Sequence, residues 1–308
     1  MIDAPSSTWF TAPPHWGWYI VLYFFFGGLA GGSYFLAALT DLIGRPGDRP
    51  LARLGYYVAF PLVLLCGLLL IVDLNRPLRF WHMLIESQTF GLMFKPWSPM
   101  SVGAWALLIF GIFSFLSFLA ALAEEDRIRW AALRRIRWPA LRRLRPPYAL
   151  GTLIAILGGV SGLFLAGYTG ILLAVTNRPI WSDTPLLGLL FIISAASTSA
   201  ALLSLLAYRA GWRMPALFGL QRMDGWLIGL ELLVLVALLI SLGPVFRAWL
   251  NAWGLLLLVG VIVGLLVPLG LSWRQRRIGE LNVATTAVLV LLGGFLLRAV
   301  VVFSAEAI

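Results

Sequence analysis

The sequence predicts an all-α membrane protein of eight transmembrane helices, grouped as two four-helix bundles with both termini outside. Three observations carry this. Hydrophobic types make up 61% of the 308 residues and charged types 12%, whereas a soluble domain carries roughly 25% charged residues, so there is too little polar surface to cover a globule in water. Eight stretches are long and apolar enough to cross the hydrocarbon, which takes about 20 residues in a helix. No stretch alternates polar and apolar residues with period two, as a barrel strand would.

The elements follow in order. Span one, residues 17–42, contains Gly27, Gly28, Gly31 and Gly32, two overlapping pairs four residues apart that let another backbone come close. Span two, 54–74, ends at Asp73. Span three, 99–123, opens on Ser98-Pro99-Met100-Ser101, with Ser98 suited to the N-cap and Pro99 to the first helical position. Span four, 149–175, repeats the small-residue spacing at Gly158, Gly162, Ala166 and Gly170. Span five, 185–208, carries Ser194, Ser197, Thr198 and Ser199. Span six, 225–246, contains Glu231, with Asp224 just before it. Span seven, 252–272, has no charge, and span eight, 281–303, contains Gly293, Gly294 and Arg298. The glycine faces either pack helices or leave room for a flat ligand. No internal repeat is evident. The bundles are expected over 1–175 and 176–308.

Charge sets the orientation. Of 23 Lys and Arg, 17 fall in the loops opposite the termini, five (Arg76, Arg79, Lys95, Arg178, Arg247) on the side of the termini, and Arg298 within a span. This asymmetry predicts that the arginine-rich loops are cytoplasmic. The loop 124–148 has eight Arg and no Lys, interleaved with Trp130 and Trp138, and is expected to lie against anionic lipid headgroups. The net charge of +10 therefore reads as topology and lipid attraction, not as a nucleic-acid footprint. On the other side, the loop 75–98 brings Phe80, Trp81, Leu84, Ile85, Phe90 and Phe94 together with His82 and Glu86, as an amphipathic surface element or a docking surface. Residues 1–15 hold no Lys or Arg, and the first apolar run is longer than the core of a cleaved signal.

Several chemistries are excluded. The single cysteine, Cys66, forms no intrachain disulfide and no thiolate cluster. Two histidines, His15 and His82, both outer, do not supply the paired axial ligands of a transmembrane haem. No haem and no iron–sulfur cluster is expected in this chain.

Charge inside the membrane costs about 2.5–3.5 kcal/mol at mid-span on insertion scales, so intramembrane ionisable residues are functional candidates. His15, Trp16, Asp73, Arg76, Ser101, Tyr168, Asn177 and Arg298 are expected at one outer depth. Each also has a plain alternative: Asp73 paired with Arg76, Arg298 snorkelling outward, His15 and Tyr168 as interface residues. Deeper, Glu231, Asp224, Asp41 and the span-five hydroxyls either supply part of a proton path or hydrogen-bond neighbouring helices.

At these positions the chain resembles the NrfD/PsrC family, the polysulfide reductase membrane subunits. The resemblance is carried by Gly27-Gly28-Leu29-Ala30-Gly31-Gly32, by Asp73-Leu74-Asn75-Arg76-Pro77, by Trp97-Ser98-Pro99-Met100-Ser101-Val102-Gly103-Ala104-Trp105, and by Tyr168-Thr169-Gly170 with Pro179-Ile180-Trp181. It covers most of the first half; the second half matches mainly in length and span count. Asn75 stands where the family pattern has Gly. The resemblance implies a subunit without a redox centre of its own, in the bacterial or archaeal cytoplasmic membrane. Such a subunit exchanges electrons between menaquinone or ubiquinone and a ferredoxin-like iron–sulfur subunit, often with a molybdopterin catalytic subunit. It further implies a quinone pocket among the first four helices, with His15, Asp73 and Tyr168 as its acting residues, Arg76 and Ser101 nearby, and Arg298 outside that bundle. A transporter and a purely structural anchor are the competing classes; transport would place polar groups near the midplane of interrupted helices.

Overall fold

The computed structural model describes residues 15–124, 141–212, 215–271 and 281–306. Eight helices in it are long and apolar enough to cross a membrane: α1 (Trp18–Ile43), α2 (Arg49–Asp73), α3 (Pro99–Glu124), α4 (Ala149–Ala174), α5 (Leu187–Arg209), α6 (Pro215–Ser241), α7 (Ala252–Leu271) and α8 (Leu281–Glu306). Among the described residues the β pairing is a single bridge, Ile85 to Leu92, in the loop after α2.

Three boundaries differ from the sequence reading by five residues or more, the first being α2, which starts at Arg49 rather than 54. α6 starts at Pro215, ten residues before the expected position, and stops at Ser241 instead of 246. Its first turns carry Gln221, Arg222 and Asp224, which lower local hydropathy, but Asp224 is buried against α5. The early stop follows from Gly243, which has φ of +52°, a conformation glycine adopts without steric cost, and from Pro244; a 3₁₀ turn then runs from Gly243 to Trp249. Within α7, residues Ile262–Leu266 form a π-helical turn.

α1 and α5 are the inner pair, with 78% and 72% of their apolar windows buried. α1 packs on α2, α4, α5 and α8, while α5 packs on α4, α6 and α8. Glycine makes the closest crossings possible. A Cβ at Gly31 would fall on the Gly162 carbonyl of α4, and one at Gly264 on the Gly293 backbone of α8. Backbone proximity of this kind supplies dispersion contact where lipid gives no hydrophobic drive. The glycine faces at these crossings are thus filled by neighbouring helices.

The largest apolar cluster takes Val21 and Phe24 from α1, Phe191 from α5, Leu238 from α6 and Val300 from α8, together with Trp181. A second joins Tyr34, Tyr56, Phe110 and Leu165 of the first four helices. α1 belongs to both. The two ends of the described chain meet: Trp16 stacks on Trp181 at 5.1 Å, and Trp181 Nε1 donates to the Val301 carbonyl at 2.7 Å.

Candidate functional site

The first turn of α3 forms as its sequence predicts: the Ser101 amide donates to Ser98 Oγ at 3.4 Å, with Pro99 at the start of the helix. The Ser101 hydroxyl is turned to the preceding loop, accepting from the Lys95 amide at 3.0 Å and donating to the Met93 carbonyl at 3.5 Å. Trp105 Nε1 donates to the same carbonyl at 3.0 Å. The loop between α2 and α3 is thereby clamped to α3, and it leaves Leu78, Phe90, Leu92 and Trp97 exposed.

Tyr168 of α4 completes this corner. Its ring lies against Gly103, where a Cβ would collide with it, and its hydroxyl donates to the Pro99 carbonyl at 2.5 Å. Tyr23 of α1 neighbours both Tyr168 and Cys66, and Cys66 Sγ donates to the Tyr23 carbonyl at 3.8 Å. Tyr168 therefore meets the α3 backbone directly and Tyr23 of α1, behind which lies Cys66 of α2. Tyr23 and Cys66 escape sequence reasoning because each reads as an ordinary apolar-span residue; the nearest signal is Gly103, one of several small residues in α3.

The other expected members are less closely gathered. Asp73 is exposed at the end of α2, and Arg76 is exposed three residues on. Among the described residues no ion pair joins them, so the local-pair alternative is not realised. His15 is exposed with φ of +52°, immediately before Trp16, whose ring is held by Trp181 and Phe24. No hydrogen bond or ion pair links His15, Asp73 and Tyr168 to one another among the described residues.

Arg298 corrects the expectation most clearly. It is 1% exposed and does not snorkel. Its Nη1 donates to Ser194 Oγ at 3.1 Å and to the Gly294 carbonyl at 2.8 Å, and its Nη2 donates to the Phe191 carbonyl at 3.5 Å. The rings of Phe25 and Phe191 flank the guanidinium at 5.8 and 5.2 Å, a favourable face for a cation. Gly28 makes room for it, since a Cβ there would lie 3.0 Å from Nη2. Arg298 thus joins α5 and α8 and belongs to a deep polar group with Glu231, not to the Tyr168 corner.

Asp41, weighed above for a proton path, is otherwise engaged. Arg145 Nε and Nη2 each donate to its carboxylate at 2.6 Å, and Nη1 donates to Glu124. Burial works against the Arg145 charge, but the hydrogen bonds and charge of Asp41 and the charge of Glu124 outweigh it and hold the guanidinium above its ordinary pKa. One of the eight loop arginines is therefore a buried tie rather than a lipid contact. Residues 125–140, to which most of the lipid expectation applies, lie outside the described residues.

Among the described residues no group of His, Cys, Asp and Glu is placed to hold a metal. The corner at Tyr168 offers a phenol and a helix N-terminus beneath an exposed apolar loop, groups that can hydrogen-bond a polar ligand.

Comparison with known proteins agrees with this architecture. Protein NrfD of Escherichia coli is 26% identical, over 94% of this chain and 95% of that protein. One of the polysulfide reductase chains of Wolinella succinogenes is 26% identical, over 94% of each. One of the selenate reductase subunits of Mesobacillus selenatarsenatis is 31% identical over 107 residues, which span 34% of this chain and 22% of that protein. The family described as Polysulphide reductase, NrfD matches residues 10–308, so this multi-pass membrane protein belongs to that family.

Proposed function

We propose that the chain is the quinone-reactive membrane subunit of a respiratory oxidoreductase complex. In this reading it passes electrons between menaquinone or ubiquinone and a ferredoxin-like iron–sulfur subunit, with a molybdopterin catalytic subunit beyond it. Family membership supports the membrane-subunit role, and two of the relatives are named as components of reductases. The observation that carries the quinone reading is the corner where Tyr168 of α4 meets the start of α3 and Tyr23 of α1 beneath an exposed apolar loop. A quinone dissolves in the bilayer and needs only an apolar slot with one or two polar groups.

Chemistry assigns the roles. The Tyr168 hydroxyl already donates to Pro99, so it can accept from a quinol hydroxyl while that bond stands; donation to a quinone carbonyl requires releasing Pro99. Asp73, exposed at the same end of the bundle, takes or returns the proton, and His15 provides a second polar group at the entrance. Arg76 and the α3 N-terminus favour negative charge developing on the ring oxygens. Electrons enter and leave through the partner, for which Leu78, Phe90, Leu92 and Trp97 of the outer loop are the docking face. In this reading the chain lies in a bacterial or archaeal cytoplasmic membrane, with loop 124–148 cytoplasmic and both termini outside, as the arginine asymmetry supports.

The test uses the assembled complex. Asp73→Asn removes the titration but keeps size and hydrogen bonding. It should reduce quinone-linked turnover roughly a hundredfold while activity with an artificial electron carrier persists. Full quinone-linked turnover in Asp73→Asn, Tyr168→Phe and His15→Ala alike would move the pocket elsewhere and leave a structural anchor as the better reading.

A further inference from the structure

α5 and α6 run antiparallel in contact, and two polar rungs cross between them. Ser197 Oγ donates to Asp224 Oδ1 at 2.8 Å. About 10 Å deeper on the same face of α6, two helical turns on, Glu231 hydrogen-bonds Ser194, whose oxygen also accepts from Arg298. The shallow rung lies near the membrane boundary, because Arg222 is exposed two residues before Asp224 and Trp226 is exposed two residues after it. The deep rung is fully enclosed: Glu231 is 2% exposed and Ser194 0%.

Glu231 has no direct ion pair. Among the described residues no carboxylate lies within 4.0 Å of the Arg298 guanidinium, and Arg298 Nε has no hydrogen-bond partner. Ser194 stands between the two charges. Beside Glu231 a cavity opens between α5, α6, α7 and α8, lined by Leu190, Leu235, Leu257, Val261, Gly293 and Leu297, with Glu231 as its ionisable group. The π-helical turn of α7 reaches this cavity through Leu265, and such turns recur at functional sites.

We propose that Glu231 is a proton-binding carboxyl, loaded from the Asp224 end through Ser197 and closed at its far side by Arg298. A proton arriving on Asp224 is passed to the Ser197 hydroxyl, which releases its own proton, as it receives one, to a water molecule bridging the three residues along α5 to Ser194; from Ser194 the proton comes to rest on the Glu231 carboxylate. No bond other than O–H is made or broken and nothing is oxidised. The fixed guanidinium repels a proton beyond Glu231, so the proton returns the way it came unless Arg298 is displaced. A metal cation fits poorly here: hard cations take six or more oxygen ligands, whereas this site offers a carboxyl and a serine beside a permanent positive charge. The charged groups facing Glu231 are Arg298 from α8 and Asp224 on its own helix; the sequences of α5 and α7 contribute none within the bilayer. The site is separate from the Tyr168 corner and does not depend on the quinone reading.

The apolar cavity gives the experiment. Dicyclohexylcarbodiimide partitions into lipid and modifies carboxyls only in their protonated form. With the full chain in lipid nanodiscs, peptide mass spectrometry should find Glu231 modified. The modification rate should fall about tenfold per pH unit once the carboxyl titrates, and Asp224→Asn should slow hydrogen–deuterium exchange of its infrared carbonyl band. Modification of Asp224 in place of Glu231, or a Glu231 rate independent of pH, would overturn the proposal. So would unchanged exchange in Asp224→Asn. The wild-type measurements stand even if Glu231→Gln, the control expected to lose the label, fails to fold.

Discussion

Two buried arginines tie neighbouring helices of this molecule together in opposite ways. Arg145 meets Asp41 in a two-point ion pair, adds Glu124 and the Arg49 carbonyl, and lies over the Tyr56 ring at 5.6 Å. Its charge is cancelled at close range, with the side chains of Arg145 and Asp41 4% and 1% exposed. Arg298 is enclosed as completely but is held by a serine hydroxyl, two carbonyls and two aromatic faces, with its carboxylate one hydroxyl away. The first arrangement ties α1, α2 and α3 to the segment entering α4. The second leaves a carboxyl free to change its protonation without losing an ion pair. Burial of charge alone therefore does not identify a working site; the manner of compensation does.

The comparison can be broken at its strongest point first. Arg145→Met leaves the Asp41 carboxylate buried without its partner, a change that costs about 3–5 kcal/mol. Thermal unfolding in detergent should show a large drop, and a shift no greater than that of Glu231→Gln would erase the distinction between the two sites. Glu231→Gln removes a carboxylate that makes no direct ion pair with Arg298 among the described residues, so its cost should be the smaller of the two.

Next in size is the crossing of α1 and α4. Gly31→Ala puts a methyl on the Gly162 carbonyl, and forced repacking of that kind costs about 1–3 kcal/mol. Gly67→Ala on α2 meets nothing within 4 Å and serves as the control, expected to be neutral or slightly stabilising because alanine is the better helix former. Equal effects would show that the crossing is looser than described. Tyr168→Phe removes the donor to Pro99 and should cost about 1 kcal/mol, read by the same unfolding measurement. The smallest effect belongs to the coupling of Arg49 with Glu124, read from a double-mutant cycle of Arg49→Ala and Glu124→Gln because Arg49 Nη2 also donates to the Pro146 carbonyl at 2.7 Å. The pair spans 3.5 Å at an Arg49 side chain 39% exposed, and pairs of that exposure contribute below about 1 kcal/mol. Adding salt should shrink this difference while leaving the Arg145 effect in place.

Much of the fold is legible before any coordinates. The Gly27 to Gly32 and Gly158 to Gly170 spacings announce a close crossing, and Gly31 meets Gly162 where they predict. Ser98 and Pro99 mark the start of α3 to the residue. The candidate site is legible only in part. Tyr168 stands out as a polar residue in an outer half-span, and its neighbours on α3 follow from the motif beside it. Tyr23 and Cys66 do not stand out, since nothing local separates a tyrosine facing another tyrosine from one facing lipid.

What the sequence by itself determined is the class of element and its length. Apolar runs of about 20 residues must be helices, because lipid leaves backbone groups no other partner, and small residues must lie where helices touch. What only the tertiary structure decided is the fate of each charge. Arg145 reads as one of eight arginines in a lipid-facing loop, Arg298 as an outer-depth candidate or a snorkelling residue, and Asp41 as part of a proton path or an interhelical hydrogen-bonder. Their partners lie 104 residues away for both arginines, and hydropathy and periodicity report only a residue's own polarity and its neighbours along the helix. Whether a charge is cancelled, shared through a hydroxyl or left to solvent is set by which helices meet.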